Sequence, residues 1–179
     1  MVRLSGRAAA SGSWRAVPSL TIWVYDSTLG AAAGEVRFKE LVRRGAVLVT
    51  DAVTVTWVKG THRPHVGHLR RRSAQLDGSL LGGLVDLLAD DGPEGDRRVA
   101  DLARRLAGTG IDQGMLDQAR CALAPGTSAL LVLARDVDLA VVRPIVERGR
   151  TRRDVVMVHA DLTAETVDLL RDAVQGSSR

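Results

Sequence analysis

Residues Ser128 to Ala134 read SALLVLA. Seven residues with no charge and one hydroxyl leave no polar face for water, so the segment reads as a strand buried on both sides, central in its sheet. Pro125-Gly126 ahead of it is a turn signal. Downstream, Asp138 to Arg148 reads as a helix, with Pro144 kinking it or marking its true start. Asp154 to His159 (DVVMVH) is again strand-like. Thr163 then offers a cap for a last helix through Val174, with Val167, Leu170 and Val174 as its apolar stripe.

The pattern upstream is the same. Leu20 to Tyr25 (LTIWVY) is rich in strand formers, and Asp26-Ser27-Thr28 offers N-cap oxygens. The helix that follows reaches Arg44, with Val36, Phe38, Leu41 and Val42 as its larger apolar residues, and Gly45 suits the left-handed position after a helix end. Val47 to Val58 (VLVTDAVTVTWV) alternates Val53, Val55 and Trp57 with Thr54, Thr56 and Val58, and Asp51 interrupts it as a break or bulge. Lys59 to His62 is a turn, with a weak return strand around His65 to Leu69.

Between these halves the charge separates. His62 to Arg72 holds four arginines and no acid, and Asp77 to Asp101 holds seven acids against Arg97 and Arg98. Leu76 to Ala89 reads as a helix weakened by Gly78, Gly82 and Gly83. Asp90 to Gly95 reads as a loop and Arg97 to Ala107 as a helix. The next helix starts at Asp112, with an Ile111–Leu116 staple, and runs to about Leu123. With this middle set aside, the order is strand-helix-strand, strand-helix-strand, helix. The expected fold is α+β: a ferredoxin-like split βαβ sheet, a helical insertion over about 60–124 between its halves, and a C-terminal helix. The expected organisation is a disordered tail over 1–18, a single domain over 19–175 and a frayed end over 176–179.

Composition limits the functions open to such a domain. The net charge of +4 falls to +1 when Arg3, Arg7 and Arg15 of the tail are set aside. The aromatic residues are Phe38, Tyr25, Trp14, Trp23 and Trp57, too few for a base-stacking array, so no specific nucleic-acid recognition is expected. Cys121 stands alone, which excludes an intrachain disulfide and points to a reducing compartment, the cytoplasm. Its helical apolar position reads as a buried structural thiol. No stretch reaches the roughly 18 uncharged apolar residues that span a bilayer.

Gly110-Ile111-Asp112, a short helix, then Pro125-Gly126-Thr127-Ser128-Ala129-Leu130 leading into a strand resembles the bacterial family catalogued as domain of unknown function 1269, whose members are often labelled predicted membrane proteins. The opening IWVYD at Ile22 to Asp26, the strand at Asp51-Ala52-Val53 and the Leu-Thr-x-Glu of Leu162 to Glu165 are similar too, so the resemblance covers about residues 19–175. It implies no established activity and supplies no catalytic residue. One departure concerns the membrane label. The family carries a long Gly/Ala-rich apolar hairpin, whereas this chain has LLGGLVDLL interrupted by Asp77, Asp86, Asp90 and Asp91. A charge at the bilayer centre costs about 2.5–3.5 kcal/mol on insertion scales, which argues against integration.

Few residues suggest chemistry. His62, His65 and His68 recur at every third position, but in a strand that spacing sends successive imidazoles to opposite faces, away from a shared metal. Gly108-x-Gly110-x-x-x-Gly114 lacks the preceding strand and the Lys-Ser/Thr of a phosphate loop, and reads as a helix stop followed by a helix start. Gly78-x-x-x-Gly82 permits a close helix contact. His159 with Asp161 is an acid–base pair by type, though a strand-end histidine beside an aspartate is more often structural. No catalytic, cofactor or metal residues are therefore assigned, and no cofactor is expected. Arg63, Arg70, Arg71, Arg72, Arg150, Arg152 and Arg153 are the candidate contacts for an anion or a partner.

The functional expectation is a non-enzymatic, self-associating interaction or scaffold domain of a bacterial cytoplasm. Segment 62–72 of one subunit would meet segment 77–101 of another. By analogy, exposed sheet edges and a βαβ face commonly pair in such folds. The alternatives are a peripheral membrane or polyanion binder using the arginines, and a small-molecule sensor domain.

Overall fold

A computed structural model of the chain describes residues 14–15, 17–69, 79–138, 140–142, 144 and 155–176. In chain order its elements are β1 (Trp14–Arg15), β2 (Ser19–Tyr25), α1 (Gly30–Arg43), β3 (Val47–Thr56), β4 (His65–His68), α2 (Leu80–Leu88), α3 (Pro93–Arg105), α4 (Gln113–Ala122), β5 (Ser128–Asp138), β6 (Val155–Asp161) and α5 (Thr166–Gly176). The structure is mixed α+β. The sheet order is β4-β3-β5-β2-β6, and β1 pairs with the far end of β5, continuing the line of β2. Every neighbouring pair is antiparallel.

β5 is the central strand, as its sequence implies, and Ser128 to Ala134 are all buried. Alternate side chains enter two separate cores. Ala129, Leu131 and Leu133 join Leu20, Ile22, Val24, Val53, Val55 and the apolar faces of α2, α3, α4 and α5. Leu130, Val132 and Ala134 join Phe38 and Leu41 of α1 with Ala46, Val47 and Ala52. The sheet is thus covered on both faces, and the layer opposite α1 consists of the insertion helices and α5.

The interruption at Asp51 is a pair of bulges. The β3–β5 register shifts around Thr50 on one strand and Arg135 on the other. Val47 and Val49 face α1, and after the extra residue it is Ala52 that faces α1 while Val53 and Val55 face the insertion. The shift also turns Asp51 towards the insertion, where its Oδ2 accepts from the Leu81 amide at 2.9 Å and from Ser79 Oγ at 2.8 Å. Ser79 is the N-cap of α2, and its hydroxyl accepts from the Gly82 amide at 3.1 Å. A carboxylate from the sheet thereby completes a helix N-terminus that carries no acid of its own.

Several local expectations change. Trp14–Arg15, expected within a disordered tail, pairs with Asp138 and Val137; residues 1–13 lie outside those described. α1 has no side-chain cap from Asp26, Ser27 or Thr28, since its N-cap is Leu29. Ser128 acts from across the sheet instead, accepting from the Ala31 amide at 2.9 Å and donating to the Ser27 carbonyl at 2.6 Å. The loop expected over 90–95 is cut short because Pro93 opens α3, where its missing N–H costs nothing and Glu94 and Asp96 complement the dipole. β5 runs on to Asp138, four residues past the expected end. Of the helix expected over 138–148, Asp138 belongs to β5, Ala140 to Val142 and Pro144 are helical, and the rest lies outside the described residues. A close helix contact falls at Gly83, where a Cβ would overlap Val174 Cγ1 of α5; Gly78 of the expected Gly78/Gly82 pair lies outside the described residues. Gly45 does adopt the left-handed conformation, with φ 71.

The Asp51 cap is testable. Asp51→Ala strands the Leu81 amide and should cost about 1–3 kcal/mol in urea unfolding. Ser79→Ala should cost about 1 kcal/mol alone. Because the two side chains share one network, the double variant should be less destabilised than the sum of the singles. Strict additivity would show that Asp51 does not hold α2 through Ser79.

Candidate functional site

β6 forms one border of the sheet and β4 the other, and the two borders differ. β4 has four residues, contains Gly67 and is preceded by Arg63 and Pro64. Shortness, proline and charge are the usual guards against unwanted pairing. β6 has seven residues, VVMVHAD, without lysine, arginine or proline. It pairs with β2 in unbroken register from Val155↔Tyr25 to Asp161↔Ser19. Among the described residues no strand pairs with its other side. Val158 and Ala160 are buried beneath the insertion layer, whereas Val156, on the same face, is 42% exposed.

The opposite face of β6 carries a polar chain. Thr21 and His159 are directly opposed across β2 and β6, with Thr21 Oγ1 2.8 Å from His159 Nδ1. Asp161 is next on that face, with Oδ1 3.3 Å from His159 Nε2. A hydroxyl, an imidazole and a carboxylate in series have the composition of a nucleophile relay. Their setting differs from that of one. The His159 and Asp161 side chains are 42% and 41% exposed, so water screens the relay and weakens the field that drives such chemistry. The arrangement follows from strand pairing: directly opposed side chains meet, and the next residue on the same face lies two positions on. It anchors the end of β6 to β2.

The remaining candidates are dispersed. Arg63 is exposed; Arg70, Arg71, Arg72, Arg150, Arg152 and Arg153 lie outside the described residues. His65 and His68 are exposed on opposite faces of β4 and His62 is exposed in the turn before it, and no group of three metal-ligating side chains occurs among the described residues. Gly108 and Gly110 take positive φ in the α3–α4 turn, as a helix stop and start require. Cys121 is exposed, contrary to the buried thiol expected: α4 turns Met115, Leu116 and Ala119 inwards, and Cys121 falls off that stripe.

The acidic run meets arginines of its own layer. Arg120 of α4 lies 2.5 Å from Asp96 and also donates to the Asp90 carbonyl. Arg98 lies 3.6 Å from Asp90, Arg97 lies 3.5 Å from Glu94, and Arg104 pairs with Asp101. The strongest charge effect is remote from β6. On the exposed last turn of α1, Arg43 and Arg44 hold the Glu40 carboxyl down at about 2.

Neither Thr21 nor the border position of β6 carries a signal in the sequence. Thr21 looks like any other strand threonine, and strand order becomes visible only once β2 is known to lie between β5 and β6. No protein-family model, curated protein or solved structure matches the chain. No helix among the described residues is long and apolar enough to cross a membrane.

The relay can be tested directly. A chromogenic acetate ester should be hydrolysed no faster by the chain than by its His159→Ala variant. A rate at least about tenfold above the variant's, within the range general-base catalysis supplies, would make Thr21, His159 and Asp161 a catalytic unit.

Proposed function

We propose that the chain is a non-enzymatic interaction domain that associates with itself in the bacterial cytoplasm, built on a ferredoxin-like split βαβ sheet. The observation that carries the proposal is the contrast between the two sheet borders: β4 is short and guarded, and β6 is long, regular and rich in β-branched residues. Strand order supports the sheet assignment. α1 joins β2 to β3 with β5 between them, and residues 139–154 join β5 to β6 with β2 between them, which is the interleaving of a split pair of βαβ units. Membership of the family of domain of unknown function 1269 is part of the same proposal; its motifs fall at the start of α4 and at the turn into β5.

The route proposed here differs from the charge pairing between insertions expected of the sequence. Asp90, Glu94, Asp96 and Asp101 of segment 77–101 already have arginine partners in α3 and α4, and the face opposite α1 is closed by helices. Self-association is therefore assigned to the sheet border rather than to charge exchange between insertions. Light scattering after size exclusion at about 0.05 M and about 0.5 M salt, on either side of strong Debye screening, tests this. A discrete oligomer at both salts is expected. An oligomer that falls apart at high salt would return the assembly to charge pairing, and a monomer at both would end the self-association reading.

One observation favours a second reading. Arg63 is exposed and makes no ion pair among the described residues, and it begins the basic run that continues through Arg70, Arg71 and Arg72. Such a run suits acidic headgroups or another polyanion. Vesicles with about a third anionic lipid should bind the chain at low salt on that reading, and lose it in Arg70/Arg71/Arg72→Ala. Absence of binding at low salt would remove it.

A further inference from the structure

We propose that β6 pairs with β6 of a second copy of this chain, antiparallel about a two-fold axis at Val158, joining the two sheets into one. This rests on the self-association reading above and adds the surface, the register and the symmetry.

The backbone directions of β6 follow from one hydrogen bond. The Leu162 amide donates to the Pro18 carbonyl at 2.7 Å. That pair continues the β2–β6 register, in which Leu20 faces Ala160 and Ile22 faces Val158. Hydrogen-bonded and non-hydrogen-bonded pairs alternate along an antiparallel ladder. The even-numbered residues of β6 therefore bond to β2, and the amides and carbonyls of Val155, Met157 and His159 point away from the sheet.

These outward groups are self-complementary. With the axis at Val158, Met157 lies opposite His159 of the second copy, and His159 lies opposite Met157 of the second copy. Each is a hydrogen-bonded pair exchanging two N–H···O=C bonds, so the central bonds form without displacing any bond to β2. Val158 then faces its own counterpart in a non-hydrogen-bonded pair, with Cα atoms about 4.5 Å apart. Val156, 42% exposed in the single chain, lies opposite Ala160 of the second copy and loses water from one flank. The side chains of His159 and Thr21 stay engaged with each other on the α1 side, so they do not compete for the edge. An isologous contact of this kind closes after two copies and leaves β4 as the outer border of each half.

Substitutions in the full chain, read by light scattering across a dilution series, test the register. Met157→Pro removes an outward N–H and takes no hydrogen bond from the chain's own sheet. Val156→Lys places a charge at an already exposed position on the border. Both should leave the far-ultraviolet circular dichroism unchanged and raise the dimer dissociation constant at least about tenfold. In a Cys121→Ser background, Val158→Cys should oxidise to a covalent dimer, because the facing Cα atoms fall within disulfide reach. If Met157→Pro fails to fold, Val156→Lys and the Val158→Cys cross-link decide. A wild-type dimer that both border variants leave intact would overturn the β6 contact while sparing self-association. A wild-type chain that stays monomeric throughout would overturn both.

Discussion

Leu131 and Leu133 are 1% and 0% exposed on one face of β5, and Leu130 and Val132 are 3% exposed on the other. Burying an aliphatic side chain of this size is worth about 1.5–3 kcal/mol, so a strand of this composition is stable only between two apolar layers. α1 supplies one of these layers, and α2, α3 and α4 with α5 form the other. The insertion is therefore half of the core, and its apolar sequence, LLGGLVDLL in α2, is accounted for by a sheet to cover. Leu81, Leu84, Val85, Leu87 and Leu88 are all buried.

The join between sheet and insertion depends on a single residue of slip. Were β3 to alternate regularly through Thr50, Asp51 would share a face with Val47 and Val49 and point at α1, where an unpaired carboxylate among Phe38, Leu41 and Ala46 would be costly. The bulge turns it to the face where the α2 amides need an acceptor. One irregularity thus removes a buried charge from one core and supplies a cap to the other. It also fixes where α2 can sit, because Leu81 and Ser79 must both reach the same carboxylate oxygen.

Much of this was legible in the sequence where the signal is local. The buried run of β5, the Val53-Val55-Trp57 alternation, the bulge at Asp51, the Asp112 cap and the left-handed Gly45 all express preferences over a few neighbouring residues. The differences arise where the deciding partner is remote. Ser128 caps α1 from a hundred residues away, so Asp26 to Thr28 were the natural local choice. Gly83 meets Val174, a contact no spacing rule within α2 can encode. Pro93 falls within the loop expected over 90–95, although a proline is well suited to the first position of a helix. The His159–Asp161 pair was visible as a two-residue spacing; that Thr21 completes it depends on β2 being the neighbour of β6.

The two-sided covering also bears on the contact proposed between copies. An α+β sheet with one bare face can associate through that face and keep its borders guarded. Once helices occupy both faces, the main chain at the borders is what remains of the sheet. β4 carries the features that discourage pairing, and β6 carries the composition that favours it. The polar chain on β6 belongs to this division of labour. Thr21 and His159 join β6 to β2 through their side chains, Asp161 meets His159 from the same strand, and exposure keeps these interactions weak. The main-chain groups of His159 point away from β2. Side chains that hold a border strand in register, with a backbone that still has bonds to give, are what pairing between sheets requires.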